Sequence, residues 1–420
     1  QAMKTRTVLR LFLTLIASAY LMQSVAQDPL HWEDIRTGSL QSPVYIPPPP
    51  AFESGIRTAS FSVTYTGFTP DATTAFDYAA AIWSSLLNSS VPIKVNGYFI
   101  PLLPGLLGIT LPNGRKDFSG APLPATWYAT ALANSITDTE LNTGESDFDL
   151  YLNSGINWYY GTDGNCPAGK YDLVSIALHE MCHGLGFVGL AKVTGTTGSF
   201  GLLEAIDFAP ITTSFPWPDL DTLPAVFDTK LIEEDGNFLI TFSNPSTDLK
   251  SNFTGNQVYF DGENASQMNN GFKPKMYAPS SFALGSSLVH LNESTYPAGN
   301  VNELMTPFAG ASNAVHDPGP IVMGILKDIG WNVNYTGVPG ELPAKAHPLK
   351  VFPNPASTTI WITGNNNHLG KFEVTDISGH SILKLDYLPA SISIDGFSNG
   401  VYIIHWLNDE VTETHTFLKY

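Results

Sequence analysis

The run His179-Glu180-Met181-Cys182-His183 constrains this chain more than any other. It sets two imidazoles four residues apart with a carboxylate beside the first. On a helix, positions i and i+4 share one face. The neighbours support a helix. Asp172 is placed to cap it, and Leu173, Val174, Ile176, Ala177, Leu178 and Met181 make it apolar nearly all round. A helix of that kind belongs in the interior. Two histidines and a glutamate buried there are costly unless something satisfies them. One zinc ion held by both rings is such a partner. Glu180 then stands where a general base for a metal-activated water is needed. The competing reading is a buried histidine pair satisfied by hydrogen bonds alone. Histidine is scarce, 10 residues in 420, so the pattern is not a product of composition.

A catalytic zinc takes three protein ligands and keeps one position open, so two histidines are not enough. After His183 the chain reads Gly184-Leu185-Gly186-Phe187-Val188-Gly189. Gly186 suits a chain that leaves its helix sharply. These residues resemble the metzincin metallopeptidases, whose long motif is H-E-x-x-H-x-x-G-x-x-H. The resemblance covers His179, Glu180, His183 and Gly186, and it stops at Gly189, where the family has histidine. The other histidines before the linker are His31, near the start, His290 and His316. Downstream of His290, the segment Asn302-Glu303-Leu304-Met305-Thr306-Pro307 looks like the Met-turn that underlies the zinc site in metzincins. In the leishmanolysin-like branch, a long insertion precedes the third histidine, and the Met-turn follows it shortly. The resemblance therefore implies zinc on His179, His183 and His290, Met305 as the Met-turn residue and Glu180 as catalytic base. It implies a zinc-dependent endopeptidase acting on a peptide or protein substrate. His316 is the competing third ligand, and Glu204 and Asp207 are weaker ones. Pro307 stands two residues after Met305, where some metzincins carry a tyrosine. Two other classes compete: a zinc-bearing but inactive surface adhesion protein, and a closed structural zinc site, which would have no use for Glu180.

The ends carry addressing signals. Met3-Lys4-Thr5-Arg6, the apolar run Val8–Leu21 and Ser24-Val25-Ala26 read as a secretory signal peptide, residues 1–26. No other run approaches the roughly 18 apolar residues of a membrane span. The net charge of −18 argues against nucleic acid as a partner, because phosphate binding needs a basic footprint. The only cysteines, Cys166 and Cys182, are either bridged, as an exported chain permits, or two free thiols. Residues 336–348 read as a linker. The module 349–420 reads as a run of short alternating strands. Its Phe352-Pro353-Asn354-Pro355 start, Ser398-Asn399-Gly400-Val401-Tyr402 and Phe417-Leu418-Lys419-Tyr420 resemble the C-terminal sorting domain of the type IX secretion system of Bacteroidota. That resemblance implies contact with the type IX machinery, export across the outer membrane, and a secreted or cell-surface location. A generic carbohydrate- or surface-binding sandwich is the rival.

The expected fold class is α+β. A metzincin-like catalytic domain over 27–335 combines a twisted mixed sheet, the active-site helix and an irregular C-terminal subdomain; a small all-β sandwich follows. Strands are expected over 58–66, 92–98 and 147–153, helices over 71–87 and 317–331, and a mostly irregular insertion over 190–280 with strand-like pieces at 238–242 and 257–260. An edge strand in the first sheet would take a peptide by β-addition, though the sequence does not say which strand. A monomer is expected.

Overall fold

The computed structural model describes residues 35–38, 44–209, 217, 221–335, 350–363, 369–387, 389, 391–407 and 412–420. The expected signal peptide, His31 and the expected linker lie outside the described residues. The chain divides into two compact units, 1–340 and 341–420.

The first unit is mixed α/β. Numbered in chain order, its main elements are β1 (Ile35–Thr37), β2 (Phe61–Thr66), α1 (Pro70–Leu86), β3 (Ile93–Ile100), β4 (Leu106–Pro112), β5 (Phe148–Asn153), α2 (Leu173–Gly184), β6 (Phe308–Ala309) and α3 (Pro320–Ile329). The sheet order is β6-β1-β4-β5-β3-β2. β2, β3 and β5 are mutually parallel. β4 runs antiparallel to β5. β1 runs antiparallel to β4 and parallel to β6.

The helices cover this sheet for reasons written in the chain. In α1, Phe76, Ala79, Ala80 and Trp83 recur at helical spacing and are buried. Burying a side chain the size of Phe76 contributes roughly 3 kcal/mol. Thr69, not Asp71, caps α1: its hydroxyl accepts from the Ala72 amide at 3.2 Å. Pro70 explains the shift, because proline fits the first helical position and moves the start upstream. α2 is buried along its whole length. The Trp83 indole on α1 donates to the Leu178 carbonyl at 3.1 Å. Gly184 lies against the Phe148 ring of β5, where a Cβ would stand 2.5 Å from Cγ. α3 begins at Pro320 rather than Asp317, because Asp317 accepts from the Gly319 amide in the preceding turn at 2.8 Å. It ends at Gly330, φ +125°, a conformation that suits glycine.

The long insertion holds more order than its composition suggests. It contains a hairpin, Ala191–Thr194 with Thr197–Phe200, and two short helices, Thr247–Phe253 and Glu263–Met268. The piece at 238–242 is a 3-10 turn, Leu239–Thr241, not a strand. A single buried leucine anchors it, too little for two-fold alternation. Of 257–260, only Tyr259–Phe260 pairs, with Leu231–Ile232. Among the described residues no helix is long and apolar enough to cross a membrane.

The second unit is all β. A three-stranded sheet contains β7 (Lys350–Phe352), β8 (Thr359–Thr363) and β11 (Ser391–Ser393), in the order β7-β8-β11. A four-stranded sheet contains β9 (Leu369–Asp376), β10 (Ser381–Tyr387), β12 (Gly400–Leu407) and β13 (Thr412–Lys419), in the order β10-β9-β12-β13. Ile360 and Ile362 of one sheet share a core with Val374, Ile404, Trp406 and Phe417 of the other. β10 had no clear signal in the sequence. It is an edge strand, and Leu383 and Leu385 are only partly buried.

Candidate metal centre

α2 presents its chemistry from a fixed frame. Asp172 caps the helix, with Oδ2 accepting from the Ser175 amide at 2.8 Å and the Ser175 hydroxyl at 2.6 Å. One and two turns further on, His179 and His183 project together, and the chain then turns away at Gly186, φ +112°. A distant segment supplies a third ring, His290. All three are buried, with no more than 3 % of any of them exposed. The His179 Nε2 atom lies 3.1 Å from His183 Nε2 and 3.1 Å from His290 Nε2.

The other ring nitrogens explain this convergence. His179 Nδ1 donates to the Leu304 carbonyl at 2.6 Å. His183 Nδ1 donates to Phe187 O at 2.7 Å, and His290 Nδ1 to Ser286 O at 2.9 Å. A carbonyl oxygen only accepts, so each Nδ1 carries the single proton of a neutral ring. Each Nε2 therefore faces the other two with a lone pair. Burial, and then the neighbouring His183 and His290, hold His179 well below the ordinary histidine range. It stays neutral and able to act as a ligand. Three buried acceptors crowded together repel one another unless a cation sits among them, so the donor set fits a metal ion. The nine-tenths-buried triad His179, His183 and His290 is the group of side chains able to hold a metal among the described residues. Imidazoles of this kind suit zinc, copper, iron or nickel.

Met305 lies in a buried 3-10 turn, Glu303–Met305. Leu304, next to it, provides the carbonyl that holds His179. The Met305 carbonyl in turn accepts from the Leu291 amide at 2.7 Å, tying the turn to the residue after His290. The turn thus fixes two of the three rings.

Glu180 reaches β4. The Thr110 hydroxyl donates to its Oε2 at 2.7 Å. Gly108, two residues earlier on the same strand, backs directly onto the carboxylate: a Cβ there would lie 2.5 Å from Oε1. Thr110 and Gly108 were not singled out from sequence. A glycine inside the apolar run Leu106–Leu111 was the available signal, since it marks close approach in a strand.

The other candidates are elsewhere. His316 Nε2 lies 2.9 Å from Asp172 Oδ2, at the opposite end of α2. Glu204 and Asp207 form a capping box around Ala205–Phe208, and Asp207 pairs with Lys192 at 2.6 Å. Gly189, where the long motif has histidine, packs against Asp228 Oδ1, leaving no room for a side chain. Asp228 accepts from the Leu190 and Ala225 amides, each at 2.9 Å, and burial pushes its pKa up to about 7. Cys166 and Cys182 are free, buried thiols. A bridge is out of reach for a physical reason. Cys166 sits by Lys170, before the helix begins, and Cys182 lies near its far end, about 15 Å along the axis at 1.5 Å per residue.

A cavity of about 310 Å³ opens at the N-terminal end of α2, between Tyr171–Ile176, β1 and Thr306–Gly310. Ile35 and Thr37 line it, as do Glu293 and Glu303. Burial raises the pKa of Glu303 to about 8.

Comparison with known proteins bears on the second unit. The family described as the secretion system C-terminal sorting domain matches residues 350–419. No curated protein matches. Among solved structures, PorZ, an essential bacterial surface component of the type IX secretion system of Porphyromonas gingivalis, is similar at 15 % identity, with a TM-score of 0.17. That alignment covers 22 % of this chain and 14 % of PorZ. The β-sandwich at 350–419 is a type IX C-terminal sorting domain, so this is a protein addressed to the type IX machinery and exported to the cell surface or released beyond it.

Proposed function

We propose that the first unit is a zinc-dependent endopeptidase of the metzincin type, leishmanolysin-like in the spacing of its third ligand. The observation that carries this reading is the joint placement of three Nδ1-committed histidines and a buried glutamate on one helix and its neighbours. His179, His183 and His290 would hold the ion through Nε2. When bound, zinc supplies Lewis acidity toward a carbonyl oxygen and toward water. The chain does the remaining work. Glu180 takes a proton from the attacking water on its carboxylate. As the C–O bond forms and the C–N bond breaks, it delivers that proton to the departing amine. Thr110 restrains Glu180 by engaging Oε2. A closed structural site would gain nothing from a carboxylate restrained in this way, so Glu180 favours catalysis over a purely structural metal.

The test uses the full chain, supplied with zinc, and a peptide library digested with and without chelator. Glu180→Gln is expected to retain zinc while hydrolysis falls by about 10²–10⁴. Undiminished hydrolysis in that variant would remove Glu180 from the mechanism. Stoichiometric zinc with no hydrolysis of any peptide would favour an adhesion protein.

A further inference from the structure

The cavity at the N-terminal end of α2 is lined by acids and, among the described residues, by no base. Asp172, Glu293, Glu303 and Asn313 line it, together with the rings of Tyr171 and Phe308. No lysine, arginine or histidine is among these residues, and none of the metal-centre histidines reaches it. Asp172, Glu303 and Asn313 are buried, whereas Tyr171, Glu293 and Phe308 are half-buried. A polar floor therefore lies beneath a rim that carries two aromatic rings and one more carboxylate.

The groups left unsatisfied here are all acceptors. Asp172 Oδ2 is taken by Ser175 and His316, but Asp172 Oδ1 accepts no hydrogen bond, and neither do Glu293 Oε2 and Asn313 Oδ1. Asp172 and Asn313 are only 2 % and 7 % exposed. A buried acceptor without a donor costs about 1–3 kcal/mol. Glu303 accepts from the Gly299 amide through Oε2. Among the described residues no ion pair includes Glu293 or Glu303. Burial pushes the Glu303 carboxyl up, and repulsion from Glu293 adds to it; burial raises Glu293 as well. Carboxyls near one another with no cation between them behave this way.

A ligand that fits must bring donors and positive charge. A bare metal ion is not that ligand. These carboxylates do not converge as the three histidines of the metal centre do, the one such group among the described residues, and 310 Å³ is the size of a small-molecule site. A guanidinium fits. Its five N–H donors fan out over a plane and accept nothing, so they reach oxygens too far apart to share one ion. Its flat face is attracted to aromatic rings such as Tyr171 and Phe308. A compact ammonium uses neither property as fully. We propose that this cavity is a guanidinium-binding site, in which Asp172, Glu293 and Glu303 take the N–H donors and Tyr171 and Phe308 take the planar face. The site does not depend on the peptidase reading. The guanidinium belongs to an arginine side chain of a polypeptide or to a free small molecule, and the test separates the two.

The experiment titrates the full chain, supplied with zinc, by calorimetry. The probes are N-acetyl-arginine methylamide, agmatine, and N-acetyl-citrulline methylamide, in which a neutral urea replaces the guanidinium. Saturable binding of a guanidinium probe is expected, with the citrulline probe weaker by about tenfold or more, the effect of a hydrogen bond to a charged group. Glu303→Gln keeps the shape of the side chain and removes its charge, and should weaken guanidinium binding by a similar factor. Thermal unfolding and zinc content check that the variant is folded; if it is not, Glu293→Gln, at the half-buried rim, makes the same test. Tighter binding of the capped arginine than of agmatine assigns the site to a polypeptide side chain, and the reverse assigns it to a free small molecule. No saturable binding of either guanidinium would overturn the proposal. So would citrulline binding as tight as that of arginine, or full affinity in the folded Glu303→Gln and Glu293→Gln variants.

Discussion

The two ends of α2 each bury a histidine cluster's worth of polar groups, and they spend them oppositely. At the N-terminal end, Asp172 Oδ2 accepts from Ser175 twice, and His316 meets the same oxygen through Nε2. Ser175 Oγ in turn accepts from the Val315 amide at 2.7 Å. That network is spent on holding the helix start to the strand that follows the Met305 turn. At the C-terminal end, backbone carbonyls take the Nδ1 protons of His179, His183 and His290, and the Nε2 atoms face one another. Burial is equal at the two ends. What separates a structural histidine from a ligand is which nitrogen is already committed, and to what. A carboxylate consumes Nε2 at one end; at the other, carbonyls consume Nδ1 and orient Nε2 inward, as outer partners of metal-binding histidines do.

The comparison breaks first at the third ring. His290→Ala is expected to abolish stoichiometric zinc binding, because two histidines remain where a catalytic ion takes three ligands. His316→Ala is expected to leave the zinc content intact and to lower stability by roughly 1–3 kcal/mol, the cost of stripping a partner from a buried hydrogen-bonded group. Zinc by elemental analysis, with urea unfolding of the same samples, reads both. Zinc loss in the His316 variant with none in the His290 variant would reverse the assignment of the two ends.

A pH-dependent effect comes from Asp228, which holds the chain as it leaves the C-terminal end. Burial raises its pKa to about 7 in the folded protein, from 3.8. Between those values the folded state binds the extra proton, so Asp228's contribution to stability is complete below pH 3.8 and is lost as pH rises toward about 7. The loss is on the order of 4 kcal/mol for a shift of this size. Asp228→Asn cannot ionise, so the difference between variant and wild type should grow in the variant's favour from pH 4 to pH 7. Parallel stability curves would show that Asp228 does not titrate in this window.

Much of this centre was legible from residue spacing alone. Four-residue separation placed His179 and His183 on one face, and Asp172 is the cap it promised to be. His290 and Met305 were reached only through family resemblance, because the contact between His179 and the Met305 turn joins segments far apart in sequence. Gly108 and Thr110 were out of reach for the same reason: strand pairing, not local pattern, carries them to Glu180. β1 was invisible, since three residues hold too little alternation to register as a strand. The thiols failed differently. Cys166 and Cys182 are near in sequence, but a rigid helix stands between them, and nearness along a chain is not nearness in space.

The finest distinction between the two ends lies in Thr110. At the N-terminal end, Ser175 Oγ donates to a carboxylate that caps the helix and holds His316; at the other end, Thr110 Oγ1 donates to the carboxylate proposed as the base, at nearly the same distance. If the second carboxylate works as a base, its hydroxyl partner should matter for rate and hardly for stability. Thr110→Val keeps the shape of the side chain and removes the donor. Hydrolysis by the zinc-loaded protein should fall by about 10- to 100-fold, the usual cost of losing an outer partner of a metal site, with zinc content unchanged. The pH–rate profile should shift toward higher pH, since a carboxylate that loses a donor is a weaker acid. Ser175→Ala makes the converse test: stability should drop while the profile stays where it was. If Thr110→Val lowers stability as Ser175→Ala does and leaves the profile unmoved, Glu180 is being held for structure, and the two ends of α2 differ in their histidines alone.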